Sequence, residues 1–348
     1  MQPLRPVMVA VGGDSGTGKS TLVAGLYQIF GTDRIANICL DDYHSLDRVG
    51  RKKAGLTALH PDANNFALAA EHIRRLRNGE TIVKPTYDHS TGTFGPEEIL
   101  VPREIVVISG LHPLFTEEMR DAYDVKIWLE PQEMLKWSWK VRRDCSKRGY
   151  SIPEVISQLM ERRTDQLAYI DPQKAFADLI VSFYPPANYF RAGVSVDSTD
   201  DAHLNVRLYM HPRLPRLDLD DVVALGQDSP HPSVRMMRQH GAFAGTSESE
   251  TVLEIDGTVD HALAAEMDER IWSHMETHRH LRTEAIGTYH DGTRERHSDP
   301  LALTQLVIAY QVIKAGFARG FSVGTGIPGH ILAGLPEELM TARGAMLD

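Results

Sequence analysis

The sequence predicts an α/β fold in which a mostly parallel central sheet is flanked by helices, and three observations carry that expectation. Short continuous apolar runs at Val7 to Val11, Ile105 to Ile108 and Val125 to Leu129 have the length of buried strands. Helical patterns separate these runs, giving the strand–helix alternation that a parallel sheet requires. Directly after the first run, Gly13-Asp14-Ser15-Gly16-Thr17-Gly18-Lys19-Ser20 satisfies G-x-x-x-x-G-K-[ST] between a strand and a helix, which is the required setting for that spacing.

Taken in order, the first strand leads into a glycine-rich turn whose backbone N–H groups can surround phosphate oxygens. The helix from Thr21 to Phe30 points its positive dipole end at them. Gly13, Asp14, Ser15, Gly16, Thr17, Gly18, Lys19, Ser20 and Thr21 are therefore the expected nucleotide cradle. Lys19 reaches the β- and γ-phosphates, and the Ser20 hydroxyl helps hold Mg²⁺. A second buried strand, Arg34 to Leu40, is expected beside the first. It ends at Asp41-Asp42-Tyr43-His44-Ser45-Leu46-Asp47-Arg48, and ligands of open α/β sheets sit beyond such carboxyl ends. Two adjacent carboxylates there can take a proton from an attacking hydroxyl or hold the water shell of Mg²⁺. An Asx turn or helix cap is an equal reading of the same residues.

Arg51 to Gly55 reads as a basic loop, Asn64 to Asn78 as an amphipathic helix stopped by Gly79, and Lys84 to Gly92 as an irregular polar segment. Pro131 to Arg148 is helical, with Lys136, Lys140, Arg143 and Lys147 along one face. That segment holds six basic residues against Glu133 and Asp144 in an otherwise acidic chain, which favours an anion-facing role. Ser151 to Glu154 is a capping box, so Gly149-Tyr150 forms a hinge between two helices, the geometry of a lid. Ala177 to Phe183 adds a strand, and Pro185-Pro186 ends a first domain, 1–185, with lid helices at about 131–166. The remainder, 186–348, is expected to be an α+β region that extends the sheet. It has strands at Leu204 to Met210 and Thr251 to Ile255 and helices at Val259 to His278 and Leu301 to Ala318, the last capped by Ser298-Asp299-Pro300. Residues 212–250 and the Gly-rich tail from Gly320 show no readable pattern. His274, His278 and His280 lack metalloprotease spacing and are not read as a metal site.

Composition narrows the function classes. The chain has 348 residues, 42% of them apolar, enough for a full core and two domains. Its 37 basic against 47 acidic residues give a charge of −10, which argues against nucleic-acid and anionic-membrane partners. The start lacks a signal-type segment and no run is long enough to span a bilayer, so the cytoplasm is the expected compartment. Cys39 and Cys145 are the only cysteines, too few for a disulfide framework or a Cys-based zinc site.

Several separated motifs then assemble in order: Gly13 to Thr21, Cys39-Leu-Asp-Asp-Tyr-His-Ser-Leu-Asp-Arg48, Lys84-Pro-x-Tyr-x-His89, Gly110-Leu-His-Pro113, Arg143-Asp144 with Arg148-Gly149, and Tyr169-Ile-Asp-Pro-Gln-Lys174. Together they resemble the phosphoribulokinase family in its plant, cyanobacterial and archaeal branch, within the uridine-kinase-like P-loop kinases. The likeness is dense over residues 7 to about 183 and returns at Val252 to Gly257 and His297 to Gln305. It implies a P-loop kinase fold, ATP and Mg²⁺ as cofactors, a homodimer, and phosphorylation of ribulose 5-phosphate at O1 to give ribulose 1,5-bisphosphate, the Calvin–Benson cycle reaction.

Position by position, the resemblance implies Asp41 as general base with Asp42 in reserve, and Lys19, Arg143 and Arg148 as further catalytic groups. It places Ser20 and Asp41 at the metal. His44, Arg48, Tyr87 and His89 would hold the sugar phosphate, and Lys140, Arg143, Asp144 and Arg148 would form the lid. Two departures matter. Ser109 stands where the family has a strand-end Glu, leaving Asp41, Asp42 or Asp144 to supply the metal's anionic partner. Thr17 replaces the loop cysteine that pairs with the Cys39 position in plant-type enzymes, and their C-terminal cysteine pair is missing. No thioredoxin-type switch and no redox-dependent protein partner are therefore expected. Two alternatives stay open: a related P-loop kinase for another sugar phosphate, and a catalytically weak ATP-binding regulatory homologue.

Overall fold

A computed structural model describes residues 5–186, 204–227, 232–243, 249–275, 278, 281, 283, 285–291 and 294–318. Eight strands form its main sheet: β1 (Val7–Gly12), β2 (Ile35–Cys39), β3 (Ile105–Gly110), β4 (Val125–Leu129), β5 (Leu179–Tyr184), β6 (Asn205–Met210), β7 (Val234–Gln239) and β8 (Glu250–Ile255). They lie in the order β7-β8-β6-β5-β4-β1-β3-β2. From β2 to β5 all pairings are parallel, whereas β6, β7 and β8 join through antiparallel ladders. The C-terminal strands thus extend the sheet that the phosphate-loop strand begins. The expectation that β2 lies beside β1 is corrected: β3 pairs with both and lies between them.

Burial follows from this arrangement. Every residue of β1 is buried, as a strand covered on both faces must be, and its side chains alternate between two cores. Val7, Val9 and Val11 face one cluster, while Met8 and Ala10 face the other. β6, nearer the sheet's antiparallel edge, buries alternate residues, Val206, Leu208 and Met210. The helices used below are α1 (Lys19–Phe30), α2 (Arg48–Ala54), α3 (Phe66–Arg77), α4 (Glu133–Arg148), α5 (Ile152–Glu161), α6 (Asp220–Gln227), α7 (His261–His274) and α8 (Asp299–Ala318). α1 and α8 cover the first core; α3 covers the second through Ile73 and Leu76.

Several expectations need correction. Arg51 to Gly55 is not a loop: α2 begins one residue after Asp47, whose side chain accepts from Gly50 N at 2.6 Å, and it stops at Gly55 with φ +68°. The stretch 212–250 holds α6 and β7. α7 ends at His274, whose Nε2 lies 2.8 Å from Asp221 Oδ1. His280 and the tail from Gly320 lie outside the described residues. Among the described residues no helix is long and apolar enough to cross a membrane.

One polar contact locks α8 to the phosphate-loop helix. Gln305 is fully buried; its Nε2 donates to Thr21 O at 3.2 Å and its Oε1 accepts from Gly287 N at 2.7 Å. A methyl group at Gly25 would lie 2.2 Å from Gln305 Cδ, so glycine is what lets the two helices meet. Gly25→Ala is expected to lower stability by about 1–3 kcal/mol, the usual cost of overpacking, read as a lower urea midpoint. Gln305→Ala in the same background should recover part of it. A Gly25→Ala protein as stable as the parent would contradict this seating of α8.

Candidate active site

The phosphate loop is a turn that only glycine can build. Gly13 and Gly16 adopt φ +146° and +83°. A Cβ on Gly13 would sit 2.7 Å from Leu129 O, and one on Gly16 would meet the backbone of α4, 3.2 Å from Lys136 O. The lid helix therefore lies directly against the loop. Within it, Lys19 Nζ donates to the carbonyls of Gly13 and Asp14 at 2.8 and 2.7 Å, and Thr17 Oγ1 donates to Asp14 O at 2.9 Å. Burial pushes the Lys19 ammonium down to about 8, against the opposing pull of the Asp41 and Asp14 carboxylates. Ser20 stays exposed on the first turn of α1.

Beyond β2 the chain makes one tight turn, Leu40–Tyr43, and this turn separates the two neighbouring carboxylates. Asp42 is fully engaged: Oδ2 accepts from Lys84 Nζ at 2.9 Å and Oδ1 from Tyr87 N at 3.0 Å. Asp41 points elsewhere, with Oδ2 3.8 Å from His89 Nε2. Burial alone would raise the Asp41 pKa, yet the fields of His89, Lys19, His44 and His112 hold it below the usual carboxylate range. It is ionised at neutral pH and placed where the loop lysine and the histidines converge.

Around it, His44 Nδ1 lies 2.9 Å from Asn64 Oδ1, and its ring meets Tyr87 edge-on at 4.9 Å. Burial lowers the pKa of both His44 and His89 below the ordinary histidine value. Arg48 Nη2 donates to His89 O at 2.5 Å, fixing that segment. The Tyr87 hydroxyl is turned inward, accepting from Arg51 Nη2 at 2.8 Å. His112 is buried with Nε2 2.9 Å from Leu59 O, and burial drives it down to about 4, so it is neutral.

On α4, Asp144 is the centre of a cation cluster and only 1% exposed. Lys140 Nζ, Arg143 Nε and Arg148 Nη1 approach it at 2.5, 2.9 and 3.3 Å, and Arg143 Nη2 also donates to Ser15 Oγ at 3.0 Å. Three cations of α4 thus gather on Asp144, and Lys84 likewise engages Asp42. Among the described residues no cluster of His, Cys, Asp and Glu has metal-site geometry. The exposed Ser20 hydroxyl and the Asp41 carboxylate are hard oxygen donors of the kind that suit a hydrated Mg²⁺. Ser109 adds little, since its hydroxyl makes only long contacts, 3.4 Å to Asn37 Oδ1 and 3.5 Å to Ile38 O.

A cavity of about 760 Å³ opens from the loop between α1, α4, the inner strands β4, β5 and β6 and the hairpin Thr288–Asp291/Arg294–His297. Gly18, Trp139, Arg142, Phe183, Tyr289 and His297 are among its lining residues. Its size and mixed lining suit a nucleoside joined to phosphates on the loop. Sequence reasoning missed this hairpin, because its strands are short, polar and without alternation. It also missed Arg51 and Trp139, although the Asp47 cap and Gly55 stop did signal the helix that carries Arg51.

Residues 8–188 match the sequence profile of the Phosphoribulokinase / Uridine kinase family. The chain is 46% identical to a phosphoribulokinase of Synechocystis sp. over 181 residues, 52% of this chain and 54% of the relative. It is 38% identical to the chloroplastic phosphoribulokinase of Arabidopsis thaliana over 221 residues, 59% and 54% of the two chains. The chain thus spans about half the length of these curated relatives. A uridine kinase of Brevibacillus brevis is 31% identical over 198 residues, 56% of this chain and 91% of that enzyme. The solved phosphoribulokinase from Rhodobacter spheroides superposes with a TM-score of 0.54 at 19% identity, covering 79% of this chain and 99% of its own, which establishes the P-loop kinase fold. With a profile match over more than half of its residues and a uridine kinase matched over nearly its whole length, the chain belongs to the phosphoribulokinase/uridine kinase family.

Proposed function

We propose that this protein transfers the γ-phosphoryl group of ATP to O1 of ribulose 5-phosphate, giving ADP and ribulose 1,5-bisphosphate. One observation carries the reading: Asp41, ionised, in the field of the loop lysine and 3.8 Å from His89 Nε2, stands apart from an Asp42 whose oxygens accept from Lys84 and Tyr87. The similarity to phosphoribulokinases supports the choice of substrate.

In this reading the acceptor hydroxyl hydrogen-bonds to Asp41, which takes its proton as the oxygen attacks phosphorus in line. His44, Arg48 and His89 hold the sugar's own phosphate, and the inward-turned Tyr87 shapes the pocket through Arg51 and His44. Lys19, Lys140, Arg143 and Arg148 neutralise the charge on the transferring group, the last three pre-arranged by Asp144. Ser20 and Asp41 would hold Mg²⁺, which would supply further neutralisation of phosphate charge. The nucleoside occupies the cavity beside Trp139 and the hairpin. A cytoplasmic homodimer completes the proposal, on the strength of the resemblance.

Ser109 favours a second reading. An uncharged hydroxyl on the strand between loop and base brings no counter-charge to the metal, as a weak kinase or an ATP-binding regulator would tolerate. ADP release measured across a panel of sugar phosphates separates the readings. Turnover on ribulose 5-phosphate alone supports the proposal, turnover on a different sugar phosphate moves the substrate, and ATP binding with no turnover on any member leaves the regulator.

Two further outcomes follow. Thr17 is buried and hydrogen-bonded where the plant-type loop carries a cysteine, and burial raises the pKa of Cys39, which disfavours its reactive thiolate. Activity should therefore be equal in reductant and oxidant; a large reversible loss on oxidation would contradict this. Because Lys19 sits near 8, the free protein loses its loop ammonium as pH rises through that value. Calorimetric affinity for ADP should be flat up to about pH 8 and then fall toward roughly tenfold per unit. Lys19→Met should flatten that dependence, and a wild-type profile flat to pH 9.5 would remove Lys19 from the role.

A further inference from the structure

Asp14 is an unexpected residue to find inside an anion-binding loop, since its charge opposes that of the phosphates the loop receives. It is 4% exposed; Oδ1 is doubly hydrogen-bonded, whereas Oδ2 makes no hydrogen bond and has only an ion pair. Oδ1 accepts from Arg162 Nη2 at 2.5 Å and from Ser15 N at 2.6 Å, while Oδ2 lies 3.3 Å from Lys136 Nζ. Lys136 belongs to α4 and Arg162 caps the C-terminus of α5, so the two lid helices on either side of the Gly149 hinge converge on one loop carboxylate. Burial would raise the Asp14 pKa, but Arg162, Lys136 and the Ser15 N–H together keep it below the carboxylate range.

We propose that Asp14 is a positioning residue that holds both lid helices over the phosphate loop before nucleotide arrives. A buried charge without a partner is costly, so removing the Asp14 charge deprives two lid cations of their ion-pair partner at the loop. In the nucleotide-free protein they would turn outward and take α4 and α5 with them. Arg143, which bridges Asp144 to Ser15 Oγ, would lose its register with the loop at the same time. Bound polyphosphate supplies a new anion and draws the lid back. Asp14 thus acts on the transferring group through Lys140, Arg143 and Arg148, and its own charge is compensated by the cations it recruits.

The consequence for catalysis rests on the proposed phosphoryl transfer, but the lid itself is tested without any acceptor. Hydrogen–deuterium exchange across 133–161 should speed up about tenfold in nucleotide-free Asp14→Asn and return toward the parent rate on adding a non-hydrolysable ATP analogue. Arg162→Gln, which leaves the loop sequence untouched, should do the same and carries the test if Asp14→Asn does not fold. The double variant should be no worse than the poorer single one. On whichever acceptor the protein uses, kcat should fall about tenfold or more while KM for ATP moves less than threefold, because misplaced groups cost turnover more than binding. Unchanged lid exchange in the single variants, or effects that multiply in the double variant, would overturn the proposal. Lack of activity on ribulose 5-phosphate would leave the exchange result standing and count only against the substrate assignment.

Discussion

Asp144 lies almost wholly out of solvent beneath Lys140, Arg143 and Arg148, and that cluster shows the constraint under which this end of the molecule is built. Charges removed from water must be paired, and stripping one partner from a buried pair costs about 3–5 kcal/mol. Three carboxylates satisfy the constraint in three places. Asp144 gathers the lid cations, Asp14 ties the lid to the loop, and Asp42 fixes Lys84 and the Tyr87 segment. Each is spent on structure. Asp41 is the one whose neighbours stabilise its charge from a distance and leave it facing the place where loop, lid and histidine pocket meet.

The sheet decides where these groups stand. β1 pairs with β3 on one side and β4 on the other, so the crevice opens at the carboxyl ends of these strands. The loop leaves β1, the Asp41 turn leaves β2, and the strand between them ends at Ser109 and Gly110. Ser109 therefore occupies the position from which a carboxylate would serve both neighbours, which gives the Ser109 departure its mechanistic weight. Gly110 adds a steric requirement: at φ +153° a Cβ there would lie 2.9 Å from Leu40 Cβ and displace the turn that carries Asp41. On the far side, α8 reaches back through Gln305 to Thr21, so the C-terminal half supports the first turn of α1.

Much of this was legible in the sequence, for local reasons. The phosphate loop declares itself because its chemistry and its turn geometry are encoded within eight consecutive residues. The parallel strands show as unbroken apolar runs because helices cover both faces. Residue type alone did not separate Asp41 from Asp42, and only the resemblance favoured Asp41; the contacts that distinguish the two come from Lys84 and Tyr87, more than forty positions away. The Asp14–Arg162 pair spans 148 positions and leaves no local trace. α2 was misread since its run of basic residues ends in glycine, although Arg51 is buried by Tyr87 and the Leu46 carbonyl. The hairpin of Thr288–Asp291 and Arg294–His297 escaped because its short, polar strands carry no apolar alternation.

The central claim is the division of labour between neighbouring carboxylates, and rapid-quench measurement of a single turnover, with ATP and ribulose 5-phosphate both saturating, tests it most directly. Asp41→Asn should slow phosphoryl transfer about 10²-fold or more with ADP affinity retained, as loss of a general base requires. Asp42→Asn should act mainly by loosening the Lys84–Tyr87 segment, raising KM for the sugar phosphate while the rate at saturation stays within about tenfold of the parent. Near-normal transfer by Asp41→Asn, or a collapse at saturation confined to Asp42→Asn, would contradict the account.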